Sequence, residues 1–369
     1  MINKRKPFRW MECTIAGLEF LVKIKIITGT LLPLAVLPGI ASNKLWFQGR
    51  QPILWDRLMI SRRQLLSGVA GTSMLGAVPG TAAARQDKPA TFVYSLNTST
   101  IRGQKIPIDR EVAIAAKAGY DAIEPWISEL EEFVRAGGNL RDLRRRIKEA
   151  GLRVESAIGF CEWIVDDEAR RKKGLEQARR DMDLVRQIGG KRIAAPPAGA
   201  TNQADLSLQR ITERYRALLE IGDKIGIVPQ IEVWGFSRTL SRLGECAQAA
   251  IESGHPKACV LADVYHLYKG GSGFGGVHLL SAAALQVFHI NDYPAKPPRA
   301  KITDADRVYP GDGVAPLTTL FRDLRRLGFR GVLSLELFNR TYWKQDALAV
   351  ARTGLEKMRA LARMSLQSK

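Results

Sequence analysis

The chain has 369 residues, of which 46% are hydrophobic, so it can bury a sizeable core and is not a disordered protein. Its formal net charge of +19 raises the question of nucleic-acid binding, but residues 1–84 alone hold eleven Lys/Arg against three Asp/Glu. The other basic residues follow helical stretches such as 141–148 and 170–180 without interleaved aromatics, which favours a solvated outer helix face over a nucleic-acid groove. Four cysteines without CxxC spacing indicate neither a disulfide framework nor a redox centre.

The first organised segment along the chain is a predicted export signal at residues 59–84. Met59 is followed by Arg62 and Arg63, then by an uncharged, Gly-rich apolar stretch, and the segment ends on three alanines. A charged start, an apolar middle and a small-residue end are the three parts of an export signal. The paired arginines resemble a twin-arginine signal, so we expect the protein to use the twin-arginine export machinery and to reach the periplasm.

Residues 1–84 are therefore expected to form an N-terminal extension that ends in the signal, and residues 85–369 a single domain. Residues 1–58 are unusual in front of such a signal, because a twin-arginine leader begins within a few residues of its arginines. Two starting positions, Met1 and Met59, stay open. The apolar run at 24–41 contains two prolines and follows two lysines, which is a poor pattern for a membrane-spanning helix.

From residue 90 onward, short apolar strands alternate with longer helical patterns, which is typical of βαβ units. The eight predicted strands are near 91–96, 122–125, 153–158, 192–195, 228–235, 259–266, 285–292 and 332–339. Candidate N-caps of the intervening helices are Asp109, Asn139, Asp166 and Asp205. Eight such units close most naturally into a (β/α)8 TIM barrel, with an open doubly wound α/β sheet as the alternative.

Four of the predicted strands carry an ionisable residue at or near their C-terminal end. These strand-end residues are Glu232, Asp263, His289 and Glu336. Burying a lone charge costs several kcal/mol, so such groups are expected to be paired or to bind an ion. Their spacing advances about one βα unit of roughly 30 residues per ligand, which brings the four ends to one mouth of a barrel. Three carboxylates with one imidazole predict a site for Mn²⁺, Mg²⁺, Co²⁺ or Fe²⁺ rather than a closed structural zinc site.

These residues lie in motifs that resemble the xylose-isomerase-like sugar isomerase/epimerase superfamily, over about residues 91–364. The motifs are Ile231-Glu-Val-Trp-Gly, Ala262-Asp-Val-Tyr-His, Phe288-His-Ile-Asn-Asp, Asp306-Arg-Val-Tyr-Pro-Gly-Asp-Gly and Leu335-Glu-Leu-Phe. The resemblance implies a TIM barrel in which the four strand-end residues bind one divalent metal ion. It also implies that His266 contacts a substrate oxygen and that Arg307 holds a substrate hydroxyl.

The predicted chemistry is proton transfer at a carbon next to a carbonyl. A divalent ion chelated by a ketose would acidify the adjacent C–H and stabilise an enediolate. Glu232 and Glu336, on different sides of the mouth, could exchange a proton with opposite faces of that carbon, which predicts an epimerase; one of them with a proton shuttle predicts an isomerase. Trp234 belongs to a group of aromatics that follow the strands and is expected to pack on the sugar ring. Glu124 and Glu155, near other strand ends, are candidate hydroxyl ligands.

Other functions stay open at this point. A lyase or dehydratase acting on a keto-inositol, keto-sugar or oxidised glycoside would use the same metal site to expel a leaving group. A non-catalytic sugar-binding protein would have no use for four ligands. An abasic-site endonuclease of the same superfamily needs several more histidines than the four in this chain. We therefore expect a small carbohydrate as the partner, no nucleic acid, and an oligomeric state that the sequence leaves undecided between a monomer and a homo-oligomer.

Overall fold

The structure, a computed structural model, describes residues 92–367 and, for the backbone alone, three strands in the N-terminal part of the chain. The chain divides into two units, Met1–Ala83 and Ala84–Lys369. The strands of the first unit form an antiparallel sheet in the order β1 (Arg9–Ile15), β2 (Leu18–Ile27) and β3 (Thr30–Leu37). The predicted signal at 59–84 lies outside the described residues. Within the part of the chain that is described, no helix is both long and apolar enough to span a membrane.

The second unit is built around seven parallel strands. They are β4 (Val93–Asn97), β5 (Ala122–Glu124), β6 (Arg192–Ala195), β7 (Val228–Glu232), β8 (Val260–Asp263), β9 (Leu285–Ile290) and β10 (Val332–Leu335). They are hydrogen-bonded in the order β5-β4-β10-β9-β8-β7-β6, and every neighbouring pair is parallel. The first and last strands of this unit, β4 and β10, are neighbours, which is the arrangement that closes a (β/α)8 barrel.

The segment 153–158 lies between β5 and β6 and takes the place of the eighth strand. On one side Ile123 N donates to Arg153 O at 2.9 Å, and on the other side Ala194 N donates to Ala157 O at 2.9 Å. Only isolated bridges form along this segment, so it is more irregular than the continuous strand that the sequence predicts. The predicted TIM barrel is confirmed.

Nine helices of the described second unit lie between the strands or after the last one. They are α1 (Ile108–Ala118), α2 (Ile127–Arg135), α3 (Leu140–Glu149), α4 (Glu168–Gln187), α5 (Leu208–Ile225), α6 (Leu243–Glu252), α7 (Val264–Gly270), α8 (Leu317–Arg326) and α9 (Ala347–Gln367). In α3, Leu140, Leu143 and Ile147 are buried at helical spacing while the basic residues between them are exposed. The basic residues of α3 thus lie on a solvated outer face.

Three of the four predicted helix starts lie one or two residues from the observed ones. Helix α4 has Asp167 as its N-cap and α5 has Ser207, and each side chain accepts a hydrogen bond from a backbone N–H of the first turn. Asp166, the residue predicted to begin α4, instead accepts hydrogen bonds from the guanidinium groups of Arg210 and Arg214 on α5. The Asp166 carboxylate, which the local sequence pattern assigns to the helix cap, therefore forms ion pairs with a neighbouring helix instead.

Candidate active site and metal centre

The four strand-end residues meet at the C-terminal ends of neighbouring strands. Glu232 and Asp263 are the last residues of β7 and β8, His289 is next to last in β9, and Glu336 directly follows β10. In the register of the sheet, His289 lies opposite Asp263 on one side and Ser334 on the other. All four strand-end side chains are buried, with no more than 4% exposure. Because the neighbouring strands are parallel, residues that are tens of positions apart in the sequence lie side by side at the strand ends.

The imidazole of His289 is at the centre of the set. Its Nδ1 lies 3.8 Å from Glu232 Oε1, 3.8 Å from Asp263 Oδ2 and 3.3 Å from Glu336 Oε2. Ligands that each bind one ion at about 2.1 Å are at most about 4.2 Å apart, so each carboxylate is close enough to share an ion with the imidazole. Nδ1 is buried and has no hydrogen-bond partner among residues 92–367, so it is free to bind a metal once its proton is released. Asp263, His289 and Glu336 offer ligand atoms that all lie within 4.8 Å of one another and so fit one divalent cation, whereas Glu232 is near the imidazole but falls outside this mutually close group.

Glu124, at the end of β5, binds the other nitrogen of His289. Its Oε2 lies 3.1 Å from His289 Nε2 and also accepts hydrogen bonds from Ser334 Oγ at 2.6 Å and Asn97 Nδ2 at 3.0 Å. A carboxylate in this place fixes the proton on Nε2 and turns Nδ1 toward the ion. Sequence reasoning missed this role and treated Glu124 only as a candidate hydroxyl ligand. The available signal was that Glu124 also ends a short strand.

Asn97, at the end of β4, joins three parts of the site. Its Nδ2 donates to Glu124 Oε2 and, at 3.2 Å, to Glu336 Oε1, while its Oδ1 accepts a hydrogen bond from Trp126 Nε1 at 3.0 Å. The buried Asn97 amide therefore helps to position three groups of the site: the carboxylates of Glu124 and Glu336 and the Trp126 ring. No sequence pattern singled out Asn97, because an uncharged amide at a strand end carries little signal.

Arg307 lies at the site, with its guanidinium bound by carboxylates. It is 1% exposed, and one terminal nitrogen donates to Asp263 Oδ2 at 2.9 Å and to Glu336 Oε2 at 2.7 Å. The other donates to Asp304 Oδ1 at 2.5 Å and lies 3.2 Å from His266 Nε2. A carboxylate oxygen has two lone pairs, so Glu336 Oε2, with one hydrogen bond, can also bind an ion. Asp263 Oδ2 accepts a second bond from Asn291 Nδ2 at 2.9 Å, which leaves Asp263 Oδ1, with one bond from the backbone N–H of His266, as the oxygen with a lone pair to spare. The guanidinium charge also offsets part of the repulsion between the acids.

The loop that carries Arg307 is fixed by Asp292. The Asp292 carboxylate accepts backbone hydrogen bonds from Gly311 at 3.0 Å, Gly313 at 3.1 Å and Ala315 at 2.9 Å. A Cβ on Gly313 would lie 2.4 Å from the Asp292 carboxylate oxygen, so a glycine is needed for this close approach. The loop after β9 is thereby locked in the position that directs Arg307 to the strand ends.

The buried charges shift the pKa values of the acids in opposite directions. Burial raises the pKa of Glu232 well above its usual value, and the neighbouring Glu336 and Asp263 add to this against the pull of His289. Burial alone would also raise the pKa of Glu336, but the positive charges of His289 and Arg307 hold this pKa below its usual value. For His289 the cost of burial is exceeded by its carboxylate neighbours, which raise its pKa.

His266 lies in the first turn of α7 and is held by backbone contacts. Its backbone N–H donates to Asp263 Oδ1 at 2.8 Å, and its imidazole Nδ1 accepts a hydrogen bond from the backbone N–H of Gly235 at 3.3 Å. Burial lowers the pKa of His266 to about 3, because Asp263 only partly counteracts the loss of solvent. The imidazole is therefore neutral near pH 7 and can hydrogen-bond a polar ligand without adding charge.

A cavity of about 240 Å³ lies above the strand-end residues. Glu232, Glu336, His266 and Arg307 line it, whereas Asp263 and His289 lie beneath and are not part of its surface. Its rim is aromatic and consists of Trp126, Phe160, Trp234, Phe236 and Phe338, with 5.0–5.9 Å between neighbouring ring centroids. Carboxylates at the base and aromatic rings at the rim suit a small ligand with hydroxyl groups and apolar C–H faces.

Comparison with known proteins agrees with the fold. A sequence model described as Xylose isomerase-like TIM barrel matches residues 112–361. The chain belongs to this family. It is 24% identical over 259 residues to an inosose isomerase from Bacillus velezensis, covering 69% of this chain and 91% of that protein. It is 24% identical over 274 residues to a fructoselysine 3-epimerase from Escherichia coli O157:H7, covering 70% of this chain and 94% of that protein.

A dehydratase is also among the relatives of this xylose isomerase-like chain. It is a 3-dehydroshikimate dehydratase from Pseudomonas putida, 23% identical over 230 residues that cover 62% of this chain and 35% of that protein. Among solved structures, the IOLI protein with a bound zinc atom superposes with a TM-score of 0.68 at 20% identity, covering 75% of this chain and all of that one. The superfamily indicated by the sequence motifs is confirmed, and its relatives include isomerases, epimerases and a dehydratase.

Proposed function

We propose that the protein is a divalent-metal-dependent sugar isomerase or epimerase that acts on a ketose or keto-sugar by way of an enediolate. The observation that carries this proposal is the convergence of three carboxylates on His289 Nδ1 below the cavity. The names of the relatives, which act on inosose and on fructoselysine, support a polyhydroxylated carbonyl compound as the substrate class.

The strand-end residues would hold the ion. An oxygen-rich set suits Mn²⁺, Mg²⁺ or Co²⁺, and the zinc in the IOLI protein adds Zn²⁺ to the candidates. A bound divalent ion would polarise the substrate carbonyl and hydroxyl and so acidify the C–H next to the carbonyl. Glu124 would keep the His289 imidazole oriented toward that ion.

Glu232 and Glu336 would move the proton. They are the two strand-end carboxylates that line the cavity, and their strands β7 and β10 are separated in the sheet by β8 and β9. They therefore approach a bound sugar from different sides, which is the arrangement that epimerisation needs. His266 and Arg307 would hold substrate oxygens, while Trp234 and the other rim aromatics would pack on the ring and exclude water.

Deuterium exchange from solvent tests the proposal. Incubated with Mn²⁺ and a panel of ketoses and 3-keto-sugars in D₂O, the protein should place deuterium on the carbon next to the carbonyl without losing a substituent. Glu232→Gln and Glu336→Gln should each slow this exchange by at least about a hundredfold, a loss within the range for acid–base groups. Glu155→Gln is the matched control, since Glu155 is 6% exposed and is absent from the cavity lining. Full exchange in Glu336→Gln would refute the assignment.

A lyase is the second candidate, favoured by the dehydratase relative. It would act on a keto-inositol, keto-sugar or oxidised glycoside, and the same carboxylates would remove the proton before a β-substituent departs. The deuterium experiment separates the two candidates. Release of water or an aglycone together with an unsaturated product favours the lyase, whereas exchange with the substrate skeleton intact favours the isomerase or epimerase.

We also propose export to the periplasm by the twin-arginine machinery, on the strength of the pattern at 59–84. Replacing Arg62 and Arg63 together by Lys should leave the full-length protein in the cytoplasm. Fractionation and mass measurement of the two forms would check this. Equal processing and export of the Lys variant would rule the signal out.

A further inference from the structure

A second cavity, of about 630 Å³, adjoins the active-site cavity. Trp126 and Phe160 line both cavities, and their ring centroids are 5.0 Å apart. The active-site cavity, at about 240 Å³, is smaller than the roughly 300–1,000 Å³ pockets that hold drug-sized ligands, so it has room for about one sugar ring. A larger substrate would extend across the Trp126–Phe160 wall into the second cavity.

Arg102 presents hydrogen-bond donors at this wall. Its guanidinium carbon lies 3.4 Å from the centroid of the Trp126 ring, and this stacking holds the half-buried side chain in place. Among residues 92–367, none accepts a hydrogen bond from the guanidinium or forms an ion pair with it. Its N–H groups lie in one rigid plane and are available to the oxygen atoms of a ligand in the second cavity.

Glu111 lies in the first turn of α1 and lines the same cavity. It is 1% exposed, and its Oε2 is buried without a hydrogen-bond partner in the described part of the chain, although buried polar atoms are nearly always paired. Burial, reinforced by Glu129 and partly opposed by Arg102, raises the pKa of Glu111 to about 10. The carboxyl is therefore protonated and uncharged near pH 7.

The rest of the lining suits a neutral ligand with both polar and apolar surface. With Glu111 uncharged, the basic groups Arg102 and Lys105 face two acidic ones, Glu129 and Glu132. This balance selects strongly for neither an anion nor a cation. Apolar and aromatic side chains complete the wall and include Ile106, Ile108, Phe133 and Phe160. Hydroxyl groups that donate and accept, on a ring with C–H faces, match such a lining.

We propose that the second cavity binds a second sugar ring, so that the substrate is a two-ring ketose or keto-glycoside. The reacting ring lies above Glu232 and Glu336, and the other ring packs against Phe133 with its hydroxyls on Arg102. The position of the reacting ring rests on the proposed function. Binding of the second ring can be measured without turnover, which allows the two proposals to fail separately.

Calorimetric titration of the Mn²⁺-loaded, full-length protein tests the second cavity. The probes are fructose against the ketodisaccharides lactulose, maltulose, isomaltulose and turanose, and 3-ketoglucose against 3-ketolactose and 3-ketosucrose. At least one two-ring sugar should bind about tenfold to a hundredfold more tightly than its single-ring counterpart, as expected for one added hydrogen bond to a charged group plus ring packing.

Two variants address the cavity itself. Arg102→Met removes the donors, and Ser128→Trp fills the cavity from an exposed position on its wall. Ser128→Trp should reduce the ratio of two-ring to single-ring affinity to about one, and Arg102→Met should reduce it several-fold, because the hydrogen bond is lost while the ring packing remains. Arg110→Gln is the matched control, because Arg110 is exposed on α1 and is absent from the cavity lining, so the ratio should be retained.

The outcomes separate the two proposals. A two-ring preference that disappears in Ser128→Trp and weakens in Arg102→Met supports the second cavity even if no deuterium exchange occurs, in which case only the proposed reaction fails. Deuterium exchange on a single-ring sugar, with no two-ring sugar bound more tightly, overturns the second-ring site alone. Retention of the full affinity ratio in both Arg102→Met and Ser128→Trp also overturns it.

Discussion

Replacement of Glu124 by Gln tests whether the imidazole is oriented for a metal. In the structure, Glu124 Oε2 accepts hydrogen bonds from His289 Nε2, Asn97 Nδ2 and Ser334 Oγ, at donor–acceptor distances of 2.6–3.1 Å. A glutamine can still offer one oxygen to these donors, so the packing of β5 against its neighbours is expected to survive. The negative charge is lost, and with it the force that holds the proton on Nε2 and increases the basicity of Nδ1.

The expected loss is in metal affinity. Removing the carboxylate partner of a metal-binding histidine typically weakens metal binding by 10–100-fold. This corresponds to about 1.4–2.7 kcal/mol at 25 °C. Because Glu124 is 1% exposed, solvent screens the effect little, and the upper half of that range is the more reasonable expectation.

The assay is calorimetric titration of the metal-free protein with Mn²⁺, accompanied by circular dichroism to verify the fold. Glu155→Gln serves as the control, since Glu155 is also buried but pairs with Lys191 at 2.8 Å and does not contact His289. Wild-type Mn²⁺ affinity in a folded Glu124→Gln protein would falsify the view that Glu124 prepares His289 for an ion.

Three further outcomes can be measured, two at the site and one on helix α4. Ser334→Ala, which removes the 2.6 Å hydrogen bond to Glu124, should lower the free energy of unfolding by about 1 kcal/mol in urea titrations, and an unchanged midpoint would contradict it. Chelation with EDTA should lower the Tm by about 5 °C, since metal at 100 times its Kd contributes about 2.7 kcal/mol; equal melting with and without EDTA argues against the site. Burial and Glu131 raise the pKa of Asp181 to about 7, so the native protein loses stability as pH rises from about 4 through 7. Asp181→Asn should therefore be more stable than wild type at pH 8, by at most about 4 kcal/mol, and no more stable at pH 4, as measured by thermal unfolding.

The positions of the strand-end residues could be predicted because each interrupts an apolar run. An ionisable group at the end of a buried strand is costly unless it has a partner, so the pattern carries energetic information. Glu124 was harder to assign, since β5 has only three residues and the imidazole that explains it is 165 positions away. Asn97 and Ser334 lack a charge and give no comparable signal, although both position the charged groups.

Glu124 and Glu155 show that the role of a buried acid depends on the residues around it in the fold, which the residue type alone does not reveal. The sequence treats the two alike, as acids near strand ends. In the structure Glu155 forms ion pairs with Lys191 at 2.8 Å and Arg192 at 3.4 Å, whereas Glu124 meets an imidazole. These partners lie on or next to other strands, and the barrel rather than the local sequence brings them into contact.

The four predicted ligands also differ from one another in a way that residue type does not reveal. Glu336 is held by Asn97 and Arg307, at 3.2 Å and 2.7 Å, and burial of these bonds restricts its motion. Glu232 receives no hydrogen bond from any residue in the range 92–367, yet it lines the cavity. A carboxylate without a fixed donor can rotate and change its protonation state at lower cost than one that must release two donors first. Within the proposed reaction, this makes Glu232 the more mobile proton carrier and Glu336 the more constrained one.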